Sequence, residues 1–338
     1  MGAIIEKPSI CLNMTAEENL KEQYKIVGIP DEESLYEILK IVKLDNTKNK
    51  KAKYFSLGMK QRLGIAIALV GKPDFILLDE PINGLDPEGI IEIRELILKL
   101  NKENGGMLML VFEYQCKIKF LKSINHKTIA EKINYFLDSV LAKDQEFLQY
   151  HENKGYKYYV TDAPWPIEKD GIYKEGKVYT LRIRTVKQEL AEFFSEKLYA
   201  HTSKELLGVG GKLRIIPKKH IQELYSITPI VIKNEEGYWR GNMSVSEFEK
   251  RIKTNLIKKY KQFTGKNIRE DILLYDVMKF NNRIPIKIPY KNINLLGDKL
   301  SFRISNEPKA QELAYFALGV GIGENNSRGH GFVNYKYL

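Results

Sequence analysis

The chain has 338 residues, 43% hydrophobic and 29% charged, which is room for two or three domains with ordinary cores. No stretch approaches the roughly 20 apolar residues that span a bilayer, and Cys11 and Cys116, the only two cysteines, exclude a disulfide framework and a cysteine metal cluster. The net charge of +11 is uneven: residues 1–106 carry 15 basic and 17 acidic side chains, the remainder 39 and 26, together with 17 of the 20 tyrosines. Two units of different origin are therefore expected, in a cytoplasmic protein without a signal peptide. The basic unit is a candidate for a phosphate-rich partner, because Lys and Arg neutralise phosphates and release counterions; the alternative is a lysine-rich solvated surface.

In chain order, helices are expected over 16–27, 32–43 and 56–71, a buried strand over 74–78, and a helix over 87–104 with Pro87 in its first turn. "FSLGM" at 55–59, "FILLDEP" at 75–81 and "NGLD" at 83–86 follow one another in that order. This stretch resembles the ABC transporter ATPases, especially the bacitracin-exporter type. The resemblance implies a signature motif at Ser56 and Gly58, a magnesium-holding Asp79, a water-polarising Glu80 and a D-loop at Asp86. The phosphate loop G-x-x-x-x-G-K-[ST] occurs nowhere in the chain; "GVGGKL" at 208–213 puts Leu213 where a hydroxyl is required. No histidine precedes His126, so the family's switch histidine is missing as well. Residues 1–106 are accordingly expected to be a truncated ABC ATPase fragment with vestigial nucleotide motifs.

In "VFEYQCKIKF", Phe112, Tyr114, Cys116, Ile118 and Phe120 alternate with Glu113, Gln115, Lys117 and Lys119, the pattern of a half-buried strand. A helix over 127–141, a short one near 144–152, strands over 156–161 and 177–186, a helix over 187–199 and a strand over 211–216 follow. The order then recurs: strand 227–233, helix 245–261, strands 271–280 and 283–303, helix 307–318, strand 331–337. Two successive β-α-β-β-α-β units predict tandem ferredoxin-like (RRM-like) domains at 107–216 and 217–338, frequent RNA platforms. The whole chain is thus expected to be α+β, preceded by a partial ABC-ATPase α/β fragment.

The most specific stretch is "GVGIGENNSRGHGFV", 319–333. It follows a helix and opens a strand, the reverse of a dinucleotide-binding loop, and its glycines let backbone approach a phosphate chain. With this loop the second unit resembles the CRISPR-associated repeat-processing endoribonucleases, the sixth Cas family of the RAMP superfamily. Gly319, Gly321, Gly323, Glu324, Ser327, Gly329 and Gly331 stand at the family's motif places, with one extra residue, Asn325 or Asn326, read as ordinary variation.

The resemblance implies metal-independent cleavage of CRISPR repeat RNA by the 2′-hydroxyl, leaving a 5′-hydroxyl and a 2′,3′-cyclic phosphate. No cofactor is implied. Repeat RNA or crRNA is the implied partner, with other Cas proteins and a homodimer as further ones. The family's Tyr/His/Lys set carries over to Tyr135, His151 and Lys157 through "HENKGYK"; Phe136 competes with Tyr135, and His126 with His151. RNA holding is expected at Gly319, Gly321, Gly323, Ser327, Arg328, Gly329 and Gly331. Lys279, Arg283 and Lys287, with Lys291, recur every four residues of "KFNNRIPIKIPYK", which would set them on one face of an extended ribbon or, alternatively, make a lysine-studded sheet edge.

Overall fold

The computed structural model of the chain describes residues 2–4, 10–29, 34–71, 76–78, 85, 89–90, 92–93, 96–97, 109–153, 155–232, 237–290 and 293–338. Contacts divide it into two units, Met1–Met109 and Leu110–Leu338. Among the described residues no helix is long and apolar enough to cross a membrane.

The first unit contains helices Ala16–Val27, Leu35–Ile41 and Leu57–Leu69. Thr15 and Glu18 form a capping box at the first, and Gly28, in the left-handed region, ends it. Ser56 caps the third: its hydroxyl accepts from the Met59 amide at 3.2 Å. Gly58 lies in that helix's first turn. Strand Ile76–Leu78 pairs in parallel with Gly2–Ile4. Of the nucleotide motifs, Asp79, Glu80 and Asp86 lie outside the described residues.

The second unit is built twice from one plan. Strand β1 (Phe112–Phe120), helices α1 (Ile129–Leu141) and α2 (Gln145–Glu152), strands β2 (Tyr159–Thr161) and β3 (Val178–Thr185), helix α3 (Gln188–Lys197) and strand β4 (Leu206–Ile215) make the first half. Its antiparallel sheet has the order β2-β3-β1-β4. The second half runs β5 (Ile221–Ser226), α4 (Val245–Thr264), β6 (Tyr275–Phe280), the ribbon β7 (Ile286–Tyr290) and β8 (Ile293–Gly297), β9 (Leu300–Ile304), α5 (Pro308–Val320) and β10 (Val333–Tyr337). Its sheet order is β6-β9-β5-β10. Each half therefore pairs its strands in the same ferredoxin-like order, and each covers one sheet face with helices. In the first half Ile118, Phe120, Phe136, Leu137, Leu181 and Phe194 are buried together, at about 1.5–3 kcal/mol for each large apolar side chain.

The polar side of β1 differs from expectation. Glu113 is fully buried, because the second half packs over that end of the strand. Its carboxylate accepts from Arg184 Nε at 2.6 Å and from Arg214 Nε at 2.9 Å. Arg184, also buried, donates onward to the Val333 carbonyl at 2.7 Å and Asn334 Oδ1 at 3.0 Å, and stacks on Phe332. The Tyr315 hydroxyl of α5 donates to the Ile216 carbonyl at 2.6 Å. The two halves are thus joined by buried polar bonds as well as by apolar packing.

The span expected as one strand over 283–303 is three. Asp298, fully buried, accepts from Tyr238 at 2.5 Å, Trp239 at 2.7 Å, Arg240 at 2.7 Å and Asn282 at 2.9 Å, and this hub separates β8 from β9. Consequently Lys279 lies on β6 of the four-stranded sheet and Lys287 on the separate ribbon, with Arg283 in the turn between. They do not share one ribbon face as expected. All three are exposed.

Candidate active site at the glycine-rich loop

The loop between α5 and β10 begins where α5 packs on the first half. Gly319 is the contact point: a Cβ there would lie 2.7 Å from Val186 Cγ1 and 3.2 Å from the Thr185 carbonyl carbon. Gly319 is buried, so it serves helix packing and is not open to a ligand, contrary to expectation. Gly321, Gly323 and Gly331 are likewise buried inside the loop. A Cβ on Gly331, whose φ is +65°, would lie 1.8 Å from the Ile322 carbonyl oxygen. The half-exposed surface of the loop is Glu324, Asn325, Ser327, Arg328 and Gly329.

Asn326, which looked like an ordinary insertion, is buried at the loop's centre. Its amide donates to the Ile322 carbonyl at 3.0 Å and the His330 carbonyl at 2.9 Å, closing the loop on itself. Residues 227–231 form the platform beneath. The Gly331 amide donates to the Pro229 carbonyl at 2.9 Å, the Glu324 amide to the Val231 carbonyl at 2.9 Å, and the Ile227 amide to the Phe332 carbonyl at 2.8 Å.

The outer loop faces the first half. Arg328 pairs with Asp138 of α1, and the Arg328 carbonyl accepts from Asn134 at 3.4 Å. Positions 134 and 138 are four apart, hence on one helix face. Ser327 sits against the phenol of Tyr159 on β2. Lys157 enters the same place: its ammonium donates to the Tyr150 carbonyl at 2.7 Å and to the Asn153 carbonyl, at the end of α2. Partial burial, and next the Arg328 guanidinium, pull the Lys157 amine below its ordinary value, while Asp138 opposes them.

Tyr135 is 61% exposed, one position along α1 from Asn134, whereas Phe136 is fully buried. Only the tyrosine of that pair reaches solvent. The backbone of His151 lies in the last turn of α2, between the two carbonyls that hold Lys157; its side chain lies outside the described residues. His126 precedes α1, and its Nδ1 is 2.9 Å from the Gly171 carbonyl oxygen. At about 1.5 Å rise per residue, the loop contacts at 134 and 138 lie about 8 and about 14 Å along the axis from Ile129, with His126 beyond that end. His330 is buried, and desolvation pulls its imidazole down to about 4, so it is neutral at pH 7.

Beside the loop, along α4, runs a groove of about 590 Å³ lined by Tyr156, Asn242, Lys250, Arg251, Lys258 and Glu324. These basic residues were not singled out in the sequence, where the stretch is expected only as a helix over 245–261. Among the described residues no three His, Cys, Asp or Glu side chains gather as metal ligands.

Comparison with known proteins finds different relatives at the two ends of the chain. Residues 212–335 match the family model "CRISPR associated protein Cas6, C-terminal", and residues 1–83 match "ABC transporter". The solved structure "CRISPR associated protein Cas6" is 22% identical with a TM-score of 0.50, covering 67% of this chain and 99% of that one. "An RAMP protein binding different RNA substrates" is 18% identical with a TM-score of 0.52 over the same shares. These structural likenesses establish a shared fold. At the other end, the "Uncharacterized ABC transporter ATP-binding protein YcbN" of Bacillus subtilis (strain 168) is 48% identical over 110 residues, 32% of this chain and 36% of that protein. The "Bacitracin transport ATP-binding protein BcrA" of Bacillus licheniformis is 38% identical over 154 residues, 44% of this chain and 50% of that protein. The chain thus spans half or less of the length of these two transporter proteins. In one polypeptide, then, a stretch similar to part of the ABC transporter ATP-binding proteins precedes a tandem ferredoxin-like unit whose residues 212–335 match the Cas6 C-terminal family model and whose fold is shared with solved Cas6 and RAMP structures.

Proposed function

We propose that the second unit binds CRISPR repeat RNA and cuts it without a metal ion. The observation that carries this reading is the anchorage of the glycine-rich loop to α1 and β2, which brings Arg328 and Ser327 to the neighbourhood of Lys157. The 2′-oxygen attacks the adjacent phosphorus, and the bond to the next nucleotide's 5′-oxygen breaks. The proton lost by the 2′-hydroxyl and the one gained by the 5′-oxygen balance, giving a 2′,3′-cyclic phosphate and a 5′-hydroxyl. His151 takes or gives a proton, Lys157 stabilises the phosphorane, and Tyr135 orients the 2′-hydroxyl or the leaving oxygen. The first unit, residues 1–106 in this reading, takes no part.

Cleavage of a repeat RNA by the full chain in EDTA tests the reaction. A 2′-deoxy nucleotide at the scissile position abolishes cutting, and His151→Ala slows it by about 10²–10⁴-fold with binding kept. Cutting of the deoxy RNA would overturn the mechanism. One observation favours a second reading, an RNA-holding protein that does not cut: Lys157 already donates to two backbone carbonyls. In that case His151→Ala changes nothing.

A further inference from the structure

Lys259 occupies an apolar place in α4. It follows Phe248, Ile252 and Leu256 on the buried face, while its neighbours Lys258 and Lys261 are exposed. Its side chain is 3% exposed. The ammonium donates to the Gly323 carbonyl at 2.6 Å, to Asn326 Oδ1 at 2.5 Å and to the Gly321 carbonyl at 3.3 Å. It also lies 5.9 Å from the centre of the Tyr156 ring. An ammonium has three donors and no acceptor, and here all three point at oxygens of one loop. Burying such a charge costs several kcal/mol unless its hydrogen bonds are complete, so an ammonium held among neutral oxygens marks a place where the acceptors need it. Without it, two peptide carbonyls and the Asn326 amide oxygen would be buried and lack that donor.

We infer that Lys259 is the positioning residue of the glycine-rich loop, the internal pin that turns Ser327 and Arg328 outward toward α1. It holds the loop from the second half as the Asp138 ion pair holds it from the first. Asn326 transmits the hold: its oxygen accepts from Lys259 while its nitrogen ties the loop's two arms at Ile322 and His330. Burial pulls the Lys259 amine down to about 7, with Glu324 opposing, as expected for a charge enclosed by neutral dipoles. The functional part of this inference rests on the proposal that the loop receives RNA.

The test is Lys259→Met in the full chain, read three ways. Loop amides at 321–331 exchange with deuterium at least about tenfold faster while α1 and β1 keep their protection, since only the local opening is changed. With repeat RNA, kcat/KM falls about tenfold or more while kcat stays within about threefold, because loop placement acts on binding. The melting temperature falls modestly, because removal of the buried charge offsets only part of the loss at the loop oxygens left without their donor. Unchanged loop exchange in folded Lys259→Met overturns the inference. Should that variant not fold, Asn326→Ala removes the pin's partner from the loop side, and unchanged exchange there overturns it equally. If wild-type chain binds no repeat RNA, the RNA reading fails, while the exchange measurement still decides the role of Lys259.

Discussion

Glu113 is the carboxylate on which the two halves of the second unit converge. Two guanidiniums share it, and one of them, Arg184, reaches across to Val333 and Asn334 of β10. Burial would raise its pKa, but Arg184, Gln115 and Arg214 outweigh that and hold it down to about 2. Replacing one member of a buried pair leaves the other charge uncompensated, which costs about 3–5 kcal/mol. Glu113→Gln should therefore shift the denaturant midpoint of the second unit strongly, whereas Glu175→Gln, an exposed carboxylate, should not. The sign with pH follows from the depressed pKa. The stabilisation is complete above the ordinary carboxylate value near 4.5 and is lost as pH falls from there through about 2. In Glu113→Gln that part of the acid dependence disappears, and an unchanged acid limb would show that the pair does not join the halves.

At the level of elements, the glycine-rich loop shows how far local sequence reaches. A methyl group at Gly331 meets the Ile322 carbonyl oxygen at 1.8 Å, and φ of +65° adds left-handed strain. Gly331→Ala should destabilise the second unit by about 1–3 kcal/mol, measured by thermal unfolding, and a neutral result would mean the loop can relax freely. Helices with their own caps were legible in the sequence: Thr15 with Glu18 and Gly28 fix one at Ala16–Val27, and Ser244 with Glu247 and Gly265 fix another at Val245–Thr264. Strands lacking such local marks were misplaced. The apolar run "ITPIVI" at 227–232 reads as a strand, yet its carbonyls hold the glycine-rich loop. The true strand, Ile221–Ser226, is hidden by Gln222 and Glu223, two polar residues in succession that break the apolar–polar alternation. Asp298 and Lys259 gave no signal either, since nothing in a single sequence says that an aspartate or lysine is buried among partners brought from other elements.

For the whole second unit, the excess of positive charge noted in the sequence includes two sets of basic residues that could hold RNA. One is the exposed set Lys279, Arg283 and Lys287, divided between a sheet, a turn and a ribbon; the other is the α4 groove with Lys250, Arg251 and Lys258 beside the loop. Salt dependence separates them. Each phosphate of a single strand that a side chain neutralises contributes about 0.7 to the slope of log affinity against log salt. If the first surface holds the repeat RNA, Lys279→Ala and Lys287→Ala each reduce the slope by about 0.7, and the double variant by about 1.4, because residues in different sheets grip different phosphates. If the groove holds it, Lys250→Ala and Lys258→Ala carry those changes and the sheet variants leave the slope intact. The groove is lined by Tyr156 and by Glu324 of the glycine-rich loop, so RNA lying there runs directly alongside that loop. We expect the groove variants to dominate, and a slope that responds to Lys279 and Lys287 alone would place the RNA on the opposite account of this surface.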